Sequence, residues 1–139
     1  MAEVIGITSG LAALTAYAFK SSIALFETVQ SFKSYPTRVR ELIEEIEALT
    51  GVLGTLNETV NATTDIDLSS LKMPLKRCGD ACTAFEQVVT KHSSRAEDGR
   101  RSFRDWAKLQ YMRGDIDGFK RLLAGYRMTI IVALTDANL

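Results

Sequence analysis

The sequence predicts an all-α protein, a helical bundle of four to five helices. Three observations point there. Apolar residues recur at three- and four-residue spacing through long stretches of the 139-residue chain. No stretch alternates with period two over a strand's length, "MTIIVAL" (128–134) being the one ambiguous run. The segments between the periodic stretches have loop compositions. At 46% hydrophobic, the chain is long enough for one domain, residues 1–139, with a real core, and too short for two ordinary ones.

The first helix is expected from Val4 onward. Val4, Ile7, Leu11, Leu14, Ala18, Leu25, Val29 and Phe32 form one stripe, and Ile5, Ala12, Phe19, Ile23 and Phe26 a second beside it. Lys20, Glu27, Ser31 and Ser34 share the far side, but Val4 to Phe19 carries no charge. A helix that is apolar nearly all round is either central in a bundle or destined for lipid. Gly6 and Gly10 make a G-x-x-x-G step, extended by Ser9 and Ala13, of the kind that lets helix backbones approach closely in membranes. Each glycine also lowers intrinsic helicity by about 1 kcal/mol relative to alanine, so the first turns should fray most easily.

Tyr35-Pro36 marks a break, with Pro36 suited to a first helical turn. Val39, Leu42, Ile43, Ile46, Leu49, Leu53, Leu56 and Val60 then give the cleanest amphipathic pattern, with Glu41, Glu44, Glu45 and Glu47 on the exposed side. "NATTDIDLSS" (61–70) is a loop that supplies Asp67 or Ser69 as a cap. Leu71, Leu75, Cys78, Cys82, Phe85 and Val89 form the third stripe, with Pro74 near its first turn. "KHSSRAEDGRR" breaks it. Phe103, Trp106, Ala107 and Gln110 start a fourth helix, which Arg113-Gly114-Asp115 interrupts or kinks. Ile116, Phe119, Leu122, Leu123, Tyr126, Ile130 and Leu134 carry the last stripe.

Composition excludes more than it assigns. The formal net charge is zero, so no global field draws the chain to nucleic acid. The charge is uneven: residues 1–70 hold four basic and nine acidic side chains, residues 71–139 thirteen and eight. Pairing of acidic with basic helices is the simplest reading of that split. The cluster Arg100, Arg101, Arg104 and Lys108 is read as a solvated helix face, with contact to anionic lipid as the other reading. Cys78 and Cys82 lie one helical turn apart, and no second Cys or His pair completes a zinc site. They read as buried small apolar residues in a reducing compartment. Phosphate-binding, nucleophile-elbow and zinc-protease motifs are all missing, and His92 is the single histidine. The expectation is therefore no enzyme, no cofactor and no metal.

The uncharged opening is not a secretory signal, because only Glu3 precedes it where a basic region is needed. Ala2 rules out N-myristoylation. A spanning helix wants about 20 predominantly apolar residues, and this run stops at Lys20 and contains Thr8, Ser9 and Thr15. It falls just short of a span.

"MAEVIGITSGLAALTAYAFKSSIALFETVQSF", "YPTRVRELIEEIEALTGVLGTL", "PLKRCGDACTAFEQVV" and "LLAGYRMTIIVALTDANL", in that order, resemble the fungal HeLo-like domain. That is the N-terminal domain of many fungal STAND (NLR-like) receptors and of related cell-death effectors. The resemblance implies a bundle similar to the MLKL four-helix bundle, and a membrane-permeabilising executioner of programmed cell death or heterokaryon incompatibility. Its partners would be plasma-membrane lipids on activation, further copies of itself, and a STAND receptor or an amyloid-signalling protein. The chain would be cytoplasmic at rest and at the plasma membrane when activated. Val4, Ile5, Ile7, Leu11, Leu14 and Phe19 would then belong to the inserting helix, with Gly6, Ser9, Gly10 and Ala13 as its helix-contact residues. A non-lytic adaptor or oligomerisation domain is the alternative. Since no nucleotide-binding domain, repeat array or amyloid motif follows before Leu139, the chain reads as either an excised domain or a stand-alone protein with a separate trigger.

Overall fold

The computed structural model describes residues 2–31, 37–62, 67–92 and 113–137, and four α-helices account for nearly all of these. They are α1 (Ala2–Gln30), α2 (Thr37–Ala62), α3 (Lys72–His92) and α4 (Arg113–Asp136), with a 3-10 turn, Ser69–Leu71, leading into α3. No strand occurs among the described residues, and 128–134 is helical. The all-α reading holds.

Local chemistry sets several of the ends. Asp67 Oδ1 accepts from the Ser69 backbone N–H at 3.1 Å and from its hydroxyl at 2.6 Å, fixing the turn that opens into α3. Pro74 is the third residue of α3, where its missing N–H costs no intrahelical bond. Ser31 closes α1 by donating its hydroxyl to the Thr28 carbonyl at 2.6 Å. The Arg113-Gly114-Asp115 step opens α4. The helix expected to start at Phe103, Trp106 included, lies outside the described residues, as does Pro36.

Side-chain pairs fix the directions. Tyr17 meets Asp80, Ser21 meets Thr83 and Thr28 meets Glu86, so α1 and α3 run parallel. Glu41 meets Lys120 and Glu45 meets Arg127, so α2 and α4 also run parallel. Phe19 lies on Gly54 while Ser22 meets Thr50, which makes α1 and α2 antiparallel. It follows that α3 and α4 are antiparallel, joined where the Phe85 and Phe119 rings stack at 4.1 Å. Round the bundle the order is α1, α2, α4, α3, with α1 packed firmly on α2 and α3, α4 firmly on α2, and α4 only lightly on α3.

The core is continuous. All eight positions of the α2 stripe are buried, from Val39 to Val60. On α3, Leu71, Leu75, Cys78, Cys82 and Val89 are buried as expected, with Phe85 partly so. Leu68 and Leu71 plug the end where α3 begins. Two expectations need correction. The buried line of α1 is Leu11, Thr15, Ala18, Ser22, Leu25 and Val29, so Thr15 takes the inward position assigned to Leu14, which is only partly buried. Leu122 on α4 is 44% exposed, and Leu123 alone of that pair reaches the core.

Candidate functional site

The candidate site is the first helix, and its described portion, Gly10 onward, has two different faces. Leu11, Thr15, Ala18, Ser22, Leu25 and Val29 alternate at four- and three-residue steps and point inward. Gly10, Ala13, Tyr17 and Lys20 lie along the outer side, and the first three of these carry no charge. Among the described residues this outer side is uncharged up to Lys20, with small residues at Gly10 and Ala13 and the Tyr17 ring at its edge toward α3.

Two fully buried hydroxyls interrupt the inward line, yet neither depends on another helix. Thr15 Oγ1 donates to the Leu11 carbonyl at 2.8 Å, and Ser22 Oγ to the Phe19 carbonyl at 2.7 Å. Ser22 Oγ in turn accepts from Thr50 Oγ1 at 3.0 Å, and that hydroxyl also lies 2.8 Å from the Ile46 carbonyl. A hydroxyl bonded to its own helix stays satisfied when the helix moves from protein to lipid. Of Thr8, Ser9 and Thr15, the polar residues that interrupt the apolar run, Thr15 is the one whose side chain is described, and it therefore costs little there.

Cross-helix hydrogen bonds gather on the side facing α3. Tyr17 OH donates to Asp80 Oδ1 at 2.6 Å, Thr83 Oγ1 to Ser21 Oγ at 3.3 Å, and Thr28 Oγ1 to Glu86 Oε2 at 3.3 Å. Lys76 Nζ, one turn earlier on α3, reaches Asp80 Oδ2 at 3.1 Å. The Tyr17 bond, followed by that of Lys76, holds the Asp80 carboxyl below the usual carboxylate range. The Tyr17 ring rests on Gly79, where a β-carbon would collide with the ring edge. Tyr17, Gly79 and Asp80 were not among the expected site residues. The signal that would have found them is a glycine inside the α3 stripe, in "CGDAC", where an amphipathic helix has no use for one.

The residues expected to form the site are placed as follows. Leu11 is buried, Leu14 and Phe19 are partly buried in the core's margin, and the Phe19 ring sits 3.5 Å from where a β-carbon on Gly54 would be. Gly10 has no described atom within 4 Å of its absent β-carbon, and Ala13 is exposed, so none of the described helices crosses there. Val4, Ile5, Gly6, Ile7 and Ser9 fall in the first turns of α1, where only the backbone is described. Arg100, Arg101, Arg104 and Lys108 lie outside the described residues.

Elsewhere the chemistry is quiet. Acidic α2 pairs with two cations of α4: Lys120 Nζ lies 2.9 Å from Glu41 Oε2, and Arg127 grips Glu45 through Nε at 2.6 Å and Nη2 at 3.3 Å. These bonds raise the Lys120 and Arg127 pKa values. Cys78 and Cys82 are free and fully buried, and the contact with Cys78, together with burial, pushes the Cys82 thiol far up. Among the described residues no cluster of three metal-ligating side chains occurs. Nor is any helix among them long and apolar enough to cross a membrane.

A family model described as pigment biosynthesis cluster protein PigL, N-terminal, matches residues 2–139. No curated protein and no solved structure matches the chain.

Proposed function

Since the chain belongs to the PigL N-terminal family, which is of the HeLo-like kind, we propose that it is a membrane-permeabilising effector domain of fungal cell-death signalling, acting through α1. The observation that carries this reading is the construction of α1. Its first sixteen uncharged residues, Val4 to Phe19, are joined to a bundle that leaves Gly10 and Ala13 uncovered. The one buried hydroxyl of that segment in the described residues, Thr15, is satisfied by its own helix. Such a segment loses little by exchanging protein for lipid.

Length sets how it acts. Sixteen helical residues reach about 24 Å, against a hydrocarbon core of about 30 Å. A lone copy therefore lies in the interface or thins the bilayer, and permeabilisation requires several copies side by side. Gly10 with Ala13, and Gly6 with Ser9 a turn earlier, supply the small residues for that contact. The bundle's own shape favours approach by this end. Exposed Met73 opens α3, and exposed Met128 and Val132 lie in the last turns of α4, at the end where α1 starts. In this reading the domain is cytoplasmic at rest and meets the plasma membrane when activated.

A second reading is favoured by α4. Leu122, Met128 and Val132 are exposed along it, and Gly125 has nothing within 4 Å of its absent β-carbon. A non-lytic adaptor of a STAND receptor would dock a partner helix on such a face. One experiment separates the two. Residues 1–139 are mixed with anionic vesicles holding a trapped dye, with sedimentation run in parallel. Dye release with co-sedimentation supports the effector; native helicity with neither supports the adaptor.

A further inference from the structure

The helix glycines of this chain are not alike. Gly10, Gly51, Gly118 and Gly125 face open space, and Gly54 has only ordinary contact with the Phe19 ring. Gly79 alone among them is a place where a side chain cannot be added without moving a neighbour, and that neighbour is the Tyr17 ring. Gly79 is buried, in the interior of α3, where glycine is a poor choice for the helix itself. Its evident use is to seat Tyr17 so that the phenol reaches Asp80 at 2.6 Å.

The position of this contact along α1 is equally informative. Toward the C-terminus, Ser21, Ser22 and Thr28 are each tied by a side-chain hydrogen bond to α3 or α2. Toward the N-terminus, residues 10–16 make no cross-helix hydrogen bond, since Thr15 bonds only its own backbone. Among the described side chains, Tyr17 is therefore the last polar tie before residues 10–16, which are held by apolar packing alone. Among the described side chains of that stretch, only Leu11 and Thr15 are buried.

We propose that Tyr17, Gly79 and Asp80 form a clasp that divides α1 into a releasable segment N-terminal to Tyr17 and a retained segment from Ser21 onward. The inference rests on the effector reading for its purpose, but the clasp is a property of the bundle in solution. Opening it exposes the part of the uncharged segment before Tyr17 as a unit while Leu25 and Val29 stay seated. The first segment, with Gly6 and Gly10 in it, is a poor helix on its own, so release shows as loss of amide protection.

The test is hydrogen exchange on the full chain without membranes, comparing Tyr17→Phe, which keeps the ring and removes the hydroxyl, with Gly79→Ala, which unseats the ring. Both are expected to speed exchange of residues 10–16 by about fivefold, leaving residues 22–30 and α2 unchanged. Lys120→Met, which removes a comparable exposed tie between α4 and α2, is expected to leave residues 10–16 unchanged. Unaltered exchange at 10–16 in Tyr17→Phe overturns the clasp, and so does an equal rise through 10–30, which would mean that α1 opens whole. Dye release from anionic vesicles is measured on the same samples. Faster exchange at 10–16 with more leakage supports the clasp and the effector reading together. Faster exchange without any leakage supports the clasp and removes the effector reading.

Discussion

Thr15 and Ser22 show how a polar side chain can occupy a core position without advertising it. Both are fully buried on the inward line of α1, and both return their hydroxyl to a carbonyl of their own helix. Reading the stripe from apolar residues alone puts Leu14 where Thr15 belongs, because a back-bonded threonine packs through its methyl group while its hydroxyl is already satisfied. Where the side chains are aliphatic the reading is secure, and the energetic expectation is simple. Ile46→Ala, at a position with no exposure, should destabilise the bundle by about 2–5 kcal/mol, while Leu122→Ser should change it by about 0.5 kcal/mol or less; denaturant titration decides both. A second expectation concerns Asp80. Its carboxyl is held below the ordinary range in the fold, chiefly by Tyr17, so the unfolded chain binds more protons between the two values and stability rises with pH there. The contribution is complete above about pH 4 and lost as pH falls through the lower folded value. The gap in denaturant midpoint between the wild-type protein and Tyr17→Phe should therefore be constant near neutrality and close in acid.

At the scale of elements, legibility follows how one-sided each helix is. The α2 pattern could be read completely because its outward positions are charged, polar or small and its inward ones aliphatic; the sequence and the structure then contain the same information. The first helix is uncharged on both faces near its start, so hydropathy alone does not say which side a neighbour covers. Only its packing does, and it leaves Gly10 in the open. The small-residue step was legible as a motif, but what it contacts was not. Gly10→Ala is accordingly expected to stabilise the bundle by about 1 kcal/mol in denaturant melts, since helicity improves and no described neighbour is displaced. In vesicles the same change should reduce cross-linkable oligomers, because added methyl groups hold packed helices apart. Equal oligomer yields from both proteins would remove the glycine seam from the effector mechanism. The α1–α3 tie is the least legible part of the site. Tyr17 and Asp80 are 63 residues apart, and nothing in either local pattern names the other.

At the scale of the whole molecule, the decisive feature is that the four described helices form a chain of strong contacts, α3 to α1 to α2 to α4, closed only lightly between α3 and α4. The α2–α4 link has Arg127 on Glu45 and Lys120 on Glu41, whereas the closing link includes the Phe85 ring stacked on Phe119. Among the described helices, removing α1 entirely would leave α3 attached by that light contact, so an effector that extracts the whole helix is expected to open the bundle. An effector that extracts only the segment before Tyr17 need not, because Ala18, Ser22, Leu25 and Val29 still fill the core between α2 and α3. Two truncations tell these apart. A chain lacking residues 1–16 should remain helical and melt cooperatively, at a lower temperature set by the loss of Leu11 and Thr15 from the core, and should release no dye. A chain lacking residues 1–30 should lose cooperative melting, since α3 is left without its main support. Circular-dichroism melts and vesicle leakage on the same two proteins give the answer. Dye release by the first truncation would mean that the uncharged segment is not the membrane-active part, and a cooperative melt of the second would mean that the α3–α4 contact closes the bundle by itself.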